Sequence, residues 1–260
     1  MQHTYAVITG ASSGIGAAFA SLLARKGYHL VLVARRGNRL EKIAAQLSAR
    51  WGIKARCVTA DLAKEEECFR VLSEIADLPV EIFINNAGFG ECGSFLETPL
   101  KKELAMTDVN VKAVQIFTKA MAKCFYEADA GYLLNVASIA GLYPAGPHMA
   151  AYYASKAYVA SMTRAVAYDL KEKGSRAYIG ALCPGPVETE FNDIAHSQFN
   201  FWRISPARCA AIAYRGMMRK KTIIIPGWPT KFAAYGGRLL PAPVLMRIVA
   251  KQQSRREVNQ

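Results

Sequence analysis

Tyr152 and Lys156 have the residue types and spacing that suit proton-transfer chemistry. They stand four residues apart near the start of a predicted helix over 151–172, so both side chains lie on one face of it. A phenol has a pKa of about 10, and a neighbouring ammonium group favours the phenolate and lowers that pKa. The pair could therefore move a proton at neutral pH. Taken alone, an exposed tyrosine beside a solvated lysine is the alternative. Tyr153 competes for the same role, but it is three residues from Lys156, and the four-residue spacing favours Tyr152.

A glycine-rich turn near the N-terminus could hold a phosphate. It follows a short apolar strand pattern over 5–8 and precedes a helix pattern rich in alanine. Backbone N–H groups at such a turn, with the positive end of the helix, attract anions. A tight strand-to-helix corner without a ligand is the alternative. The candidate phosphate-binding residues are Gly10, Ser12, Ser13, Gly14, Ile15 and Gly16.

Alternating strand and helix patterns must position these residues. Seven apolar runs predict strands, at 5–8, 29–34, 55–59, 81–85, 132–138, 177–183 and 222–225. Helix patterns separate them, with Asn38 and Ser205 as predicted N-caps. This order predicts an α/β fold with a doubly wound parallel sheet, whose ligands bind beyond the carboxyl ends of the strands. We find no repeat and no linker, so we predict one domain over 1–260. It comprises a core over 5–227 and a C-terminal extension over 228–260.

The combination of motifs resembles the short-chain dehydrogenase/reductase family over about residues 5–227. The motifs that carry the resemblance are Thr9–Gly16, Asn85-Asn86-Ala87-Gly88, Ser138, Tyr152-x-x-x-Lys156 and Pro184-Gly185-Pro186-Val187-x-Thr189. The resemblance implies a seven-stranded Rossmann-type sheet that binds NAD or NADP. It also implies a homodimer or homotetramer formed through two long helices.

The resemblance implies four catalytic residues. Tyr152 would exchange a proton with the substrate oxygen, and Lys156 would lower its pKa and hold the nicotinamide ribose. Ser138 would bind the substrate carbonyl, although fourteen positions separate it from Tyr152, one more than expected of the family. Gly146-Pro147 is expected to absorb the extra residue. Asn110 would support a proton relay, and an ordinary polar helix residue is the alternative reading.

The cofactor is expected to be NADP. An acidic residue after the second strand would bind the ribose of NAD, but here Arg35 and Arg36 follow Ala34. Guanidinium groups suit a 2′-phosphate by charge and geometry. The resemblance makes Asp61 and Leu62 adenine contacts, and a cap of the next helix is the alternative for Asp61. The remaining cofactor residues implied are Asn86, Ala87, Gly88, Pro184, Gly185, Val187 and Thr189.

The distribution of charge indicates which macromolecular partners to expect. The net charge is +13, and residues 203–260 hold twelve Lys and Arg against one acidic residue, which leaves +2 for residues 1–202. This basic end could contact an anionic membrane, but Pro241 and Pro243 interrupt its pattern, so membrane contact is not favoured. A nucleic-acid motif is not evident.

Six scattered cysteines without metal-ligand spacing predict free thiols, no metal and a cytoplasmic location. Neither a signal peptide nor a membrane span is expected.

The expected function is NADP(H)-dependent interconversion of a carbonyl and an alcohol. Four aromatic residues between Thr189 and Ser205 could line a pocket for a bulky apolar ketone or aldehyde, or could pin that loop to the core. They are Phe191, Phe199, Phe201 and Trp202. A non-catalytic sensor or scaffold of the same fold is the alternative function, and a methyltransferase on a similar sheet would have no use for the Tyr152–Lys156 pair.

Overall fold

The computed structural model describes residues 4–190, 203–237 and 240–254. Within these ranges, seven strands form one sheet in which all neighbours are parallel, in the order β3-β2-β1-β4-β5-β6-β7. The predicted α/β doubly wound fold is therefore confirmed. The strands are β1 Tyr5–Thr9, β2 His29–Ala34, β3 Ala55–Thr59, β4 Val80–Asn85, β5 Tyr132–Val136, β6 Tyr178–Leu182 and β7 Ile223–Ile224.

Helices cover both faces of this sheet because its strands are apolar on both sides. Ile8 points into a core shared with α1, α2 and α7, whereas its neighbour Val7 points into a second core shared with α3, α5 and α6. Such two-sided burial is typical of parallel sheets. The helices are α1 Gly14–Arg25, α2 Gly37–Trp51, α3 Glu65–Ile75, α4 Leu100–Thr107, α5 Val114–Glu127, α6 Ala150–Glu172, α7 Pro206–Met218, α8 Trp228–Gly236 and α9 Ala242–Ser254.

One predicted N-cap is confirmed and one is wrong. The Ser205 hydroxyl accepts a hydrogen bond from the backbone N–H of Arg208, with Pro206 in the first turn of α7. Asn38 is instead the second residue of α2, whose N-cap is Arg36. Gly37 lies so close to Thr59 of β3 that an added Cβ would come within 2.7 Å of its hydroxyl. This close packing lets α2 begin one residue before Asn38.

A π-helical turn over Asp108–Ala113 joins α4 to α5. It widens the helix and shifts the hydrogen-bond pattern, and such turns are frequent at functional sites. The side-chain amide of Asn85 donates to the carbonyl of Val114, the first residue of α5, at 3.1 Å. A side chain at the carboxyl end of β4 thus bonds to the backbone just beyond the irregular turn.

No described helix is both long and apolar enough to cross a bilayer. The six cysteines are free thiols. In the same described part of the chain, no group of three or more His, Cys, Asp or Glu side chains could hold a metal ion.

Candidate active site

Ser138 and Tyr152 face each other at the carboxyl edge of the sheet. Ser138 follows β5 by two residues and begins a short 3-10 helix over Ile139–Leu142, where its hydroxyl accepts from the N–H of Ala140 at 3.1 Å. Tyr152 lies in the first turn of α6, and the two side chains are hydrogen-bonded. Both are more than nine-tenths buried. The structure therefore brings together two hydroxyl groups that could hold one substrate oxygen.

Lys156 lies one helical turn beyond Tyr152 and is buried. Its Nζ donates to the carbonyl of Val136 at 3.0 Å and lies 5.9 Å from the centroid of the Tyr152 ring. A Cβ added to Gly88 would come within 3.2 Å of this nitrogen and 2.8 Å of Asn110 Oδ1. The backbone after β4 thus passes close to Asn110 and Lys156, which favours glycine at position 88.

Asn110, in the π-helical turn, anchors the segment after β4 to α6. Its side chain exchanges two hydrogen bonds with the backbone of Phe89, at 3.1 and 2.8 Å, and donates to Ser155 Oγ at 3.2 Å. Ser155 in turn donates to the carbonyl of Tyr152 at 2.7 Å. Asn110 is fully buried, so it acts as a positioning residue for α6 and the neighbouring backbone.

Burial controls the charges at this site. The predicted lowering of the Tyr152 pKa by Lys156 is wrong: burial raises this pKa above its ordinary value, and the hydrogen bond from Ser138 acts in the opposite direction. Burial also lowers the pKa of Lys156 to about 8, because desolvation disfavours the ammonium form. At neutral pH the phenol is therefore protonated and can give a proton to a substrate oxygen.

Tyr153 packs edge-on against Tyr152, with ring centroids 6.3 Å apart, and lies against the turn before α6. A Cβ at Gly146 would come within 2.2 Å of the Tyr153 ring. The backbone N–H of Met149 bonds to the Gly146 carbonyl, and His148 has a φ of 63°. This tight turn lies where the sequence predicted the additional residue between Ser138 and Tyr152.

Sequence reasoning missed the helix that packs on the two tyrosines. Leu245 and Val249 of α9 join an apolar cluster with Tyr152 and Tyr153. The other buried members of that cluster are Met106, Ala140 and Met149. Spacing alone could have indicated Leu245 and Val249 as one helix face, but it could not reveal what that face contacts.

The glycine-rich turn has the backbone that a phosphate site requires. Gly10 and Gly14 have φ of 65° and 56°, which favour glycine, and a Cβ at Gly16 would come within 2.3 Å of the Gly10 carbonyl. Ser13 is the N-cap of α1, but its side chain makes no capping hydrogen bond. The first N–H groups of α1 are thus open to an anion, and the turn fits a dinucleotide phosphate.

Arg36 contacts this turn. Its guanidinium donates to Ser12 Oγ at 3.1 Å and to Ser13 Oγ at 2.8 Å, and it pairs with Glu190 at 2.8 Å. Arg39, which sequence reasoning missed, pairs with the other oxygen of Glu190 at 2.6 Å. Arg35 is exposed beside them. Two guanidinium groups therefore converge beside the turn, and one carboxylate partly neutralises them.

Asp61 and Leu62 follow β3 without entering α3. The Asp61 carboxylate accepts from the N–H of Ala63 at 3.3 Å, whereas the N-cap of α3 is Lys64. The helix-cap alternative for Asp61 is therefore wrong. The Leu62 side chain is buried, and its carbonyl accepts from the thiol of Cys68. Contact of these two residues with adenine remains a prediction.

Asn86, which follows β4, connects that strand to the glycine-rich turn through hydrogen bonds. Its amide donates to the carbonyls of Thr9 and Gly10 at 2.9 and 3.3 Å, while the N–H groups of Asn86 and Ala87 both bond to Thr9 Oγ1 at 2.9 Å. Thr9 is a site residue that the sequence reading left unassigned. Asn86, Ala87 and Gly88 together line the edge between the glycine-rich turn and Lys156.

The segment Pro184–Thr189 runs from the active site toward the glycine-rich turn. The N–H of Ile139 bonds to the Pro184 carbonyl at 2.9 Å, and Val187 forms an isolated parallel bridge with Ile204. At its far end, a Cβ on Gly14 would come within 2.9 Å of Thr189 Cγ2. A Cβ on Gly185 would come equally close to Thr230 of α8.

Comparison with known proteins identifies the family. The family model for short chain dehydrogenases matches residues 4–198. The chain belongs to the short-chain dehydrogenase family. A short-chain dehydrogenase from Sphingobium yanoikuyae, solved with NADPH, superposes with a TM-score of 0.82 at 29% identity, covering 91% of this chain and 93% of that one.

Two curated relatives of this short-chain dehydrogenase are named very-long-chain 3-oxoacyl-CoA reductases. The protein from Anas platyrhynchos is 27% identical over 252 residues, which are 95% of this chain and 79% of the relative. The protein from Neurospora crassa is 36% identical over 178 residues, which are 66% of this chain and 53% of the relative. The chain therefore spans about half the length of that fungal relative. The four aromatic residues predicted to line the substrate pocket, at 191, 199, 201 and 202, lie outside the described residues.

Proposed function

We propose that this short-chain dehydrogenase is an NADP(H)-dependent oxidoreductase that interconverts a ketone and a secondary alcohol. The observation that carries the proposal is the convergence of Ser138, Tyr152 and Lys156 at the carboxyl edge of a parallel sheet, next to an open glycine-rich turn. A non-catalytic scaffold would have no need to bury a lysine beside a hydrogen-bonded pair of hydroxyl groups.

The side chains have distinct roles in reduction. Ser138 and Tyr152 would both hydrogen-bond the substrate carbonyl oxygen, and Tyr152 would give its proton as negative charge develops there. Lys156 would stabilise the resulting phenolate and bind the nicotinamide ribose. Asn110 fixes the position of the first turns of α6, because it donates to Ser155, which in turn donates to the Tyr152 carbonyl. When bound, the nicotinamide supplies the hydride to the carbonyl carbon.

The basic residues beside the glycine-rich turn support NADP as the cofactor. Arg36 already contacts the hydroxyls of Ser12 and Ser13 and pairs with Glu190. Arg39 pairs with the other oxygen of the Glu190 carboxylate. A 2′-phosphate in the position of the Glu190 carboxylate would meet both guanidinium groups. The Sphingobium relative, which was solved with NADPH, also supports this choice.

The walls around Tyr152 support a substrate with large apolar groups. Met106, Met149, Tyr153 and two aliphatic residues of α9 belong to the same apolar cluster as the proposed proton donor Tyr152. An apolar lining with a few convergent polar groups is typical of ligand pockets. The relatives' names point to one such class, 3-oxoacyl thioesters with long chains. The free thiols support a cytoplasmic location, and a homo-oligomer stays a prediction.

The test is a series of NADPH oxidation assays on the purified protein. Short and long 3-oxoacyl thioesters, together with ketones of graded size, would be compared by kcat/KM. We expect kcat/KM to rise with apolar chain length by at least about tenfold, since each buried methylene contributes about 0.8 kcal/mol. Turnover that is equal for small polar and long apolar ketones would contradict the substrate class.

Tyr152→Phe and Tyr153→Phe form a matched pair for the mechanism. Removing the Tyr152 hydroxyl deletes the proton donor, so we expect kcat to fall by about 10²–10⁴. The affinity for NADPH, measured by fluorescence titration, should stay within about twofold because the phosphate site is untouched. Tyr153→Phe should keep most of the activity. If Tyr153→Phe were the inactive variant, the assignment of the proton donor would be wrong.

A further inference from the structure

Helix α8 exposes its large residues and buries its small ones. Trp228, Phe232 and Tyr235 are 80%, 76% and 55% exposed, whereas Thr230 and Ala234 are buried. The three aromatic residues recur at four- and three-residue spacing, so they form one stripe along the helix. Single exposed apolar residues are common, but a continuous aromatic stripe marks an interaction surface.

Helix α9 extends this surface. Its inner residues Leu245 and Val249 join the apolar cluster of Tyr152 and Tyr153, and its outer residues Val244 and Ile248 are 43% and 44% exposed. Thr230 on the inner side of α8 lies against the Gly185 turn. Each helix therefore has buried residues near the candidate active site and apolar side chains exposed to solvent. We call the outer residues of α8 and α9 the aromatic face.

Positive charge surrounds the aromatic face. Lys231 lies within the stripe of α8, and Arg247 and Lys251 are exposed on α9. Residues 203–260 carry twelve basic residues and one acidic residue, against a net charge of +2 for residues 1–202. Exposed Trp, Tyr and Phe flanked by Lys and Arg suit the interface of a bilayer that contains anionic lipids.

We propose that the aromatic face docks the protein onto an anionic lipid surface. This reverses the expectation from the sequence, because Pro241 precedes α9 and Pro243 is its second residue, so neither interrupts the helix. The charge argues against a second copy of this chain as the occupant, because a two-fold contact would bring two strongly basic surfaces together. An anionic bilayer offers the opposite charge, and the interfacial region accommodates amphipathic aromatic rings. This proposal stands on the surface alone and does not depend on the proposed reaction.

Vesicle co-sedimentation of the full-length protein tests this inference. Vesicles of phosphatidylcholine alone would be compared with vesicles in which one third of the lipid is phosphatidylglycerol. We expect binding to the anionic vesicles at least tenfold stronger than to the neutral ones, weakening at high salt because the attraction is screened. Absence of binding to the anionic vesicles would overturn the proposal.

Variants test whether vesicle binding depends on the aromatic face or on any exposed apolar side chain. The double variant Trp228→Ser/Phe232→Ser should lower the partition coefficient on anionic vesicles at least tenfold. Phe69→Ser on α3 is the matched control, since Phe69 is 53% exposed on a different helix, and it should bind as the parent does. Circular dichroism would verify that each variant is folded. Unchanged vesicle binding by the double variant would overturn the proposal.

Sedimentation velocity distinguishes a protein interface from a lipid surface. If the double variant converted an oligomer into monomers, the aromatic face would be a contact between copies of this chain and the proposal would be wrong. We expect the oligomeric state of the double variant to equal that of the parent in the absence of vesicles.

Discussion

At the scale of single residues, burying the charged amino group of Lys156 lowers the stability of the folded protein. Lys156 is almost fully buried, and its polar contact in the structure is the carbonyl of Val136. The backbone at Gly88 approaches so closely that no larger residue would fit beside it. Functional sites are often destabilised in this way, and removing the buried group then raises stability while activity is lost.

Lys156→Met tests this trade-off. The pKa of Lys156 is about 8 in the folded state and about 10.4 in the unfolded chain, so protonation favours unfolding at neutral pH. After subtraction of the lost hydrogen bond, we expect the variant to be inactive but about 2 kcal/mol more stable at pH 7. Urea unfolding measures the difference.

The pH dependence is the internal control for Lys156→Met. Between pH about 8 and about 10.4 the unfolded state binds more protons than the folded state, so wild-type stability rises with pH in this window. The advantage of the variant should therefore shrink across the window and vanish above it. An advantage that did not change with pH would mean that packing, and not charge burial, is its cause.

Substitutions of Arg36 and Glu190 should change the affinity for NADPH in opposite directions. Arg36→Ala removes a guanidinium from the proposed 2′-phosphate site, so we expect NADPH to bind at least about tenfold more weakly and NADH to change little. Glu190→Gln removes the carboxylate that pairs with Arg36 and Arg39, so it should strengthen NADPH binding several-fold. Isothermal titration calorimetry gives both values.

Arg35→Ala is the control for the cofactor test, because Arg35 is an adjacent exposed arginine. It should weaken NADPH binding less than Arg36→Ala does. Equal losses of NADPH and NADH affinity in Arg36→Ala would contradict the NADP assignment.

At the scale of elements, the sequence predicted strands and most helices well, because apolar runs and periodicity report local burial. It also predicted the Ser205 cap, which depends on residues three apart. The π-helical turn lies within an unbroken helical pattern over 98–127, so the sequence predicts a continuous helix there. Asn85, 29 residues before Val114, bonds to the backbone just after that turn. A local pattern cannot show such a distant hydrogen bond.

The buried polar network around Asn135 connects these elements. Asn85 and Thr118 donate to Asn135 Oδ1 at 3.2 and 3.1 Å, and Asn135 donates to Thr163 Oγ1 at 2.9 Å. These four side chains are buried and join β4, α5, β5 and α6. The network thus links the strand that precedes Ser138 to the helix that carries Tyr152.

Asn135→Ala should destabilise the protein by about 2–5 kcal/mol, because it leaves several buried polar groups without a partner. Thr118→Val removes a single hydrogen bond with similar volume, so its effect should be about 1 kcal/mol. Denaturant unfolding followed by circular dichroism would compare the two. Equal losses would show that the network does not act as a unit.

At the scale of the whole molecule, the sheet places the polar clusters of the candidate active site at one edge. The prediction that these clusters lie at that edge followed from the rule for parallel sheets and did not need the structure. The clusters are Gly10–Gly16, Asp61, Asn85–Gly88, Ser138 and Pro184–Thr189. The role of the C-terminal extension could not be predicted in this way. Its packing on Tyr152 depends on tertiary contacts almost one hundred residues apart in the sequence.

Cofactor binding should stabilise the whole domain. At a free NADPH concentration one hundred times its dissociation constant, linkage predicts about 2.7 kcal/mol of stabilisation, or a rise in Tm of about 5–10 °C for a domain of this size. Differential scanning calorimetry should show one transition that shifts as a unit. The same concentration of NADH should give a smaller shift. Two transitions that respond separately would contradict the single-domain prediction.

The packing of α9 on Tyr152 and Tyr153 also has a consequence for biosynthesis. Thr9 cannot bond to Asn86 until β4 has been made, and the apolar cluster over the catalytic tyrosine cannot close until Leu245 and Val249 have left the ribosome. A domain generally folds as a unit, so contacts that join its distant parts form only once both parts have been synthesised. The apolar cluster around the proposed proton donor can thus close only after residues 245–249 have been translated, later than the edge strand β7 at Ile223–Ile224.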